Sequence, residues 1–164
     1  MTDNSVYVPH QLTKNVKLLH KAVIIVDGKA LLLKRSPESK SRPEKWDLPG
    51  GNSEWPLNAT ELEQDLHKLD VAREILEEAN IIVSKKEFEI EQLVYLTSFF
   101  QPEKQVYTMV FGWLVNNLTA NDVKDIKISH EHTEFAWVAQ NELDNHDFGF
   151  DFVKEIIEAG FAKN

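Results

Sequence analysis

The chain contains no cysteine, which excludes a disulfide framework, a thiolate nucleophile and a cysteine-ligated zinc site. Its apolar runs, such as Ala22 to Val26 and Ala30 to Leu33, stop far short of the roughly 18–20 residues that a membrane-spanning helix needs. Residues 1–17 lack an apolar segment of signal-peptide length, so the expectation is a soluble cytoplasmic protein with no membrane partner. Basic charge is scarce: 18 Lys and Arg stand against 27 Asp and Glu, a net charge of −9. That balance argues against sequence-independent nucleic-acid binding, which rests on cationic contacts to phosphate. Phosphorylated small molecules remain compatible, because metal ions and a few Lys or Arg side chains neutralise a local site. No internal repeat or low-complexity stretch is present.

What is there suits one domain: 164 residues with 42% apolar content can bury a proper core but not two comfortable ones. The run Ala22–Val26, the turn residues Asp27-Gly28-Lys29 and the run Ala30–Arg35 predict a β-hairpin. Ser36 to Lys45, with Pro37 and Pro43, predicts a loop, and Trp46 to Leu48 a brief extended segment entering Pro49-Gly50-Gly51. Thr60-x-x-Glu63 has the form of a capping box at a helix start, and Leu62, Leu66, Leu69, Ala72, Leu76 and Ala79 form an apolar stripe beyond it. Leu93–Phe100 and Val106–Val115 predict strands joined by Gln101–Gln105. Ile126–Ile128 predicts another short strand, and Phe152 to Phe161 a C-terminal helix.

The densest chemical signal is Arg73-Glu74-Ile75-Leu76-Glu77-Glu78-Ala79-Asn80-Ile81. Glu74, Glu77 and Glu78 stand at i, i+3 and i+4, which places three carboxylates on one side of a helix. Like charges at those spacings each cost a bare helix about 0.2–0.5 kcal/mol, a cost that a bound hard cation such as Mg²⁺ or Mn²⁺ recovers. A lone ExxEE is more often a solvated acidic face; here the residues upstream change the balance.

Trp46-Asp47-Leu48-Pro49-Gly50-Gly51 followed by the Arg73 segment resembles the Nudix box, G-x5-E-x7-R-E-U-x-E-E-x-G-U with U aliphatic. Gly51 matches the opening glycine, Arg73-Glu74-Ile75 the R-E-U, Glu77-Glu78 the acidic pair and Ile81 the closing aliphatic position. The chain departs from the pattern twice. Gly51 to Arg73 spans twenty-two positions, so about eight residues are inserted between residues 50 and 81. The first box glutamate is replaced by one of Glu61, Glu63 or Asp65, among which the sequence does not choose. Asn80 stands where the family has glycine, a mild change because Asn tolerates the left-handed conformation that closes a helix.

The resemblance implies an α/β/α sandwich with a mixed β-sheet between helices, over residues 1–164 with a leader at 1–15. It implies Mg²⁺ or Mn²⁺ held by Glu74, Glu77 and Glu78 with the Gly50 carbonyl, Arg73 as a brace, and hydrolysis of a nucleoside diphosphate linked to another moiety. A loop acid ahead of a strand ending in Trp137-Val138 commonly serves such enzymes as a further ligand or base; Glu131 is the candidate, with Glu134 second. His130 and His132 flank it, but H-x-H without a third ligand nearby reads as exposed loop histidines. Arg35, Phe99, Phe100 and Tyr107 are the candidates for substrate contact, the aromatics by stacking on a base, against the commoner alternative that they pack in the core or cover a sheet edge.

The family's subgroup markers downstream of the box find no clean match at Tyr95 to Pro102, so the moiety attached to the nucleotide stays open. The rival reading is a Nudix-fold module that binds a nucleotide or sugar nucleotide without cleaving it. The isomerase branch of the fold needs a cysteine, which this chain lacks. The leader offers an element for homodimer pairing, though nothing in its composition requires one.

Overall fold

The computed structural model describes residues 15–164; the leader, and with it the proposed dimer element, lies outside the described residues up to position 14. An alternation of aliphatic residues carries β1 (Val16–Val26) through Asp27 and Gly28, at φ 50° and 74°, into β2 (Lys29–Arg35). Two successive left-handed residues give the turn whose twist suits an antiparallel pair. Next come β3 (Trp46–Asp47), α1 (Leu66–Ala79), two 3-10 turns at Lys85–Phe88 and Ile90–Gln92, β4 (Leu93–Gln101) and β5 (Val106–Val115). The chain closes with β6 (His132–Val138), a 3-10 turn at Gln140–Asn145 and α2 (Asp151–Lys163).

The six strands form one mixed sheet in the order β3-β2-β1-β5-β4, with β6 also paired to β2. β1 runs parallel to β5 from Val16–Tyr107 to Ile24–Val115. Beside β2, however, it stays for only Ile25–Ala30 and Val26–Lys29, and β3 takes its place at Leu33 and Lys34. The two strands therefore splay, and the gap is where the glycine loop enters.

Two cores flank the sheet. Ala22, Ile24, Leu31, Leu33, Trp113 and Val115 pack against Val71, Ile75 and Ala79 of α1, and Val23, Ile25, Leu32, Val110 and Leu114 pack against Val153, Ile156 and Ile157 of α2. This is the expected α/β/α sandwich. Gly160 lets α2 close on β1, since a Cβ there would lie 2.6 Å from a Val23 methyl.

Three local expectations are corrected. The capping box at Thr60 and Glu63 does not start the helix: α1 begins at Leu66 behind Asp65, which sits at φ 56° and makes no side-chain cap bond. The expected stripe is rotated, because Leu62, Leu69 and Leu76 are exposed while Val71, Ile75, Glu78 and Ala79 are buried. Ile126–Ile128 is not a strand; the Lys127 and Ser129 amides donate to the Ala79 and Glu78 carbonyls and so tie the loop to the end of α1. Asn80 ends the helix as expected, at φ 56° with its amide on Leu76.

Candidate active site

In the splayed gap, residues 49–53 pair with β1 in place of β2. The Ala22 amide donates to Pro49 O at 2.9 Å, the His20 amide to Gly51 O at 2.9 Å and the Ser53 amide to Leu18 O at 2.8 Å. Gly50 adopts φ 136°, and a Cβ at that position would lie 2.1 Å from the His20 carbonyl oxygen, so no other residue fits. Its amide then points at α1 and donates to Glu78 Oε2 at 2.8 Å. A Cβ on Gly51 would lie 2.5 Å from the Glu74 carboxylate, which therefore rests directly over the loop. The two glycines are the surface on which the helix carboxylates sit.

The three glutamates do not share one environment. Glu78 is buried, at 8% exposure, and burial pushes its carboxyl up to about 8 against the opposing pull of Lys21 and the Gly50 amide. Glu74 is half-buried and also raised, by burial first, although Arg73 beside it works the other way. Glu77 is exposed and paired with Arg73 Nη1 at 3.1 Å. Arg73 also approaches Glu74 at 3.0 Å, Glu54 at 3.6 Å and Asp70 at 3.8 Å. None of Glu61, Glu63 or Asp65 is among its ion pairs; Asp65 pairs with Lys68 at 3.4 Å. The acids that support Arg73 beside the box glutamates are thus Glu54, in the loop, and Asp70, one turn back on the helix.

Behind the loop lies a buried pair that the sequence reading did not single out. Lys21 Nζ is 3.0 Å from Asp47 Oδ1 and donates to the carbonyls of Leu48 at 3.1 Å and Gly50 at 3.3 Å. Arg35 and Arg42 approach the other Asp47 oxygen at 3.6 Å and 3.5 Å. Burial raises Asp47, but Lys21 and Arg42 outweigh it and hold its carboxyl below the ordinary range. The available signal was a lone lysine opening an apolar run and an acid inside Trp46–Leu48.

A cleft of about 420 Å³ opens over these groups. Glu74, Glu78, Gly50 and Lys21 lie at one end; Glu131, Arg35 and Arg42 line it further along, and Phe99, Phe150, Lys17 and Lys104 close it. Strand alternation decides the aromatics: Phe99 pairs in register with Thr108 and both line the cleft, whereas Phe100 and Tyr107 pair on the opposite face. Phe100 is half exposed, and the Tyr107 hydroxyl donates to Ser98 Oγ at 3.0 Å. Arg42 stacks over Phe150 at 4.5 Å. Glu134 turns outward to Lys34. His130 is exposed as expected, but His132 is buried, 3.9 Å from Glu78 and 3.3 Å from Ser129 Oγ, and burial lowers it to about 4, so it is neutral.

Among the described residues, no three acidic or histidine side chains converge to cage a metal by themselves. The donor set still fits Mg²⁺ or Mn²⁺: Glu74 and Glu78 are hard oxygen ligands in one cleft, and Mg²⁺ is ordinarily held by one or two carboxylates with waters and substrate phosphates completing its shell. Glu78 is a buried carboxyl whose charged form has no full partner, as a cation site requires.

The NUDIX domain family matches residues 18–159. The chain belongs to the Nudix family. Among solved structures it is similar to the MutT protein of Methanosarcina mazei, with 28% identity, a TM-score of 0.61, and coverage of 93% of this chain and 97% of that one. At 20% identity it shares the fold of a MutT NUDIX hydrolase from Burkholderia pseudomallei, with a TM-score of 0.63 over 89% and 98% of the two chains. At 18% identity it shares the fold of the NUDIX domain of Shewanella oneidensis NrtR, solved with ADP ribose, with a TM-score of 0.60 over 96% and 93%. No curated protein matches the chain.

Proposed function

We propose that this chain, as a single Nudix domain, hydrolyses a phosphoanhydride in a nucleoside diphosphate linked to another moiety, with Mg²⁺ or Mn²⁺ held by Glu74 and Glu78. The observation that supports this most is Glu78: a carboxylate that the Gly50 amide aims into the cleft and that burial holds short of ionisation. A bound divalent ion would supply charge neutralisation at the phosphates and a water of lowered pKa. Glu77 is retained as the outer carboxylate of the set, and Arg73 braces Glu74 and Glu77 against the loop.

The chain's own groups do the rest. Arg35 and Arg42 stand where negative phosphate oxygens enter, and Lys17 and Lys104 add positive charge at the mouth. Phe99 and Phe150 offer flat apolar walls for a base. Glu131, exposed at the cleft wall, is the group we assign to accept the proton of an attacking water. The ADP ribose bound by the Shewanella domain and the likeness to the Methanosarcina MutT protein suggest the substrate panel: nucleoside triphosphates, ADP-ribose, dinucleoside polyphosphates and sugar nucleotides. Among the described residues no helix is long and apolar enough to cross a membrane, and a cytoplasmic setting with small nucleotides as partners completes the reading.

The test is product release from that panel with Mg²⁺ and with chelator. Mg²⁺-dependent cleavage of one class supports the reading and names the substrate. Saturable binding without cleavage across the panel overturns it in favour of a binding module.

A further inference from the structure

The carbonyl of Gly50 is the oxygen expected to join the glutamates on a metal, and in the structure it is already engaged. Lys21 Nζ donates to it at 3.3 Å, to Leu48 O at 3.1 Å, and pairs with Asp47 at 3.0 Å. All three donor directions of an ammonium are thereby used. The lysine is 3% exposed and reaches this point from the centre of β1, on the cleft side of the strand that also carries Lys17 and Leu19. An ammonium so enclosed does not wander, because leaving would abandon Asp47 as an unpaired buried charge.

We propose that Lys21 is a built-in cation of the active site: it occupies the Gly50 carbonyl in place of a divalent ion and confines metal binding to the Glu74 and Glu78 side of the cleft. The inference rests on the metal reading above and deepens it. Three observations carry it together. The Gly50 amide and carbonyl are used on opposite sides, the amide by Glu78 and the carbonyl by Lys21, so the glycine links the fixed cation to the carboxylate. No carboxylate lies within ion-pairing distance of Lys21 except Asp47 among the described residues, so the lysine leaves Glu78 and Glu74 free for a cation. A divalent ion on the same carbonyl would face an ammonium whose nitrogen lies 3.3 Å from that oxygen, well inside a Debye length. Lys21 is a positioning residue: it acts on the metal through the glycine loop.

The direct experiment uses the unaltered protein titrated with Mg²⁺ and followed by carbon NMR of the Gly50 carbonyl and of the Glu78 carboxyl. The expected result is a shift of the Glu78 carboxyl with the Gly50 carbonyl unmoved. Movement of both at the same Mg²⁺ concentration overturns the proposal and leaves the metal reading standing; movement of neither removes the metal reading and the proposal with it. A second arm counts Mn²⁺ per chain. Lys21→Met combined with Asp47→Asn removes both members of the buried pair, leaving Arg35 and Arg42, which reach solvent in part, and is expected to bind one more Mn²⁺ than the parent, while Lys21→Arg, which retains the positive charge, binds the parent number. An unchanged count in a folded double variant overturns the proposal. Loss of folding in the variant leaves the carbonyl shift to decide.

Discussion

The first half of β1 faces two cavities of opposite character. Lys17, Leu19 and Lys21 look into the candidate active-site cleft, of about 420 Å³, where charged groups predominate. Val16, Leu18 and His20 look into a larger space of about 780 Å³ on the α1 side, walled by Trp55, Ile90, Phe111 and Trp113. There His67 lies flat on Trp113 at 5.0 Å and His20 on Phe111 at 4.9 Å, while Trp113 Nε1 donates to His20 Nδ1 at 3.1 Å. Among the described residues no lysine or arginine lines it. The two sides differ because side chains alternate along a strand, and they teach that residues adjacent in sequence here belong to different chemistry.

The sharpest way to break that comparison is at the carboxylates. Glu78→Gln should lower kcat/KM by about 10²–10³-fold, the scale of losing one charge-stabilising group. Glu77→Gln should cost less, because Glu77 is exposed and holds Arg73. Steady-state kinetics with saturating Mg²⁺ distinguishes them, and equal losses would put both carboxylates in the cleft.

A second contrast sets the two faces of β4 against each other. Phe99→Leu should raise KM by roughly 3–10-fold, the worth of an aromatic stacking contact, whereas Phe100→Leu, on the outer face, should leave KM as it was. A KM change in the Phe100 variant would move the substrate to the other side of the sheet.

The pH dependence of stability separates the sides again. Glu78 is raised from 4.5 to about 8, so the folded chain holds its proton where the unfolded chain has lost it, and metal-free stability falls as pH rises through that window. His20 and His132 are lowered from 6.5 to about 4, so their contribution is present above 6.5 and lost as pH falls towards 4. Thermal stability in chelator should therefore fall above pH 6.5, and saturating Mg²⁺ should abolish that alkaline decline because the ion holds Glu78 ionised. A decline that persists with Mg²⁺ would detach Glu78 from the metal. The smallest effect belongs to the apolar side: Trp55→Ser, at a residue 82% exposed, should change unfolding free energy by less than about 0.5 kcal/mol and turnover not at all.

Much of this was readable in the sequence where local and tertiary signals agree. The Asp27-Gly28 turn, the β4–β5 hairpin and the C-terminal helix follow from turn chemistry and periodicity, and Gly50-Gly51 meets Glu74 and Glu78 of the acidic run at one cleft. The failures share a cause. The stripe of leucines on α1 was misplaced because the helix buries Glu78 beside Ala79 to meet Gly50, so a charged residue takes a core position and Leu69 and Leu76 are turned out. His132 reads as a loop histidine until the fold brings it against Glu78. Lys21, Asp47, Glu54 and Asp70 have roles only across distances of sixteen or more residues, or through a helix turn that begins later than the capping pattern suggests.

The placement of Lys21 between His20 and Ala22 also sets a rule for length variation. Removing or adding one residue in β1 upstream of the turn would exchange the two faces, sending an imidazole to the glycine loop and an ammonium into the aromatic stack. The strand can change length only by even steps, while the exposed segment from Trp55 to Glu63 has no such arithmetic and can grow or shrink by any number.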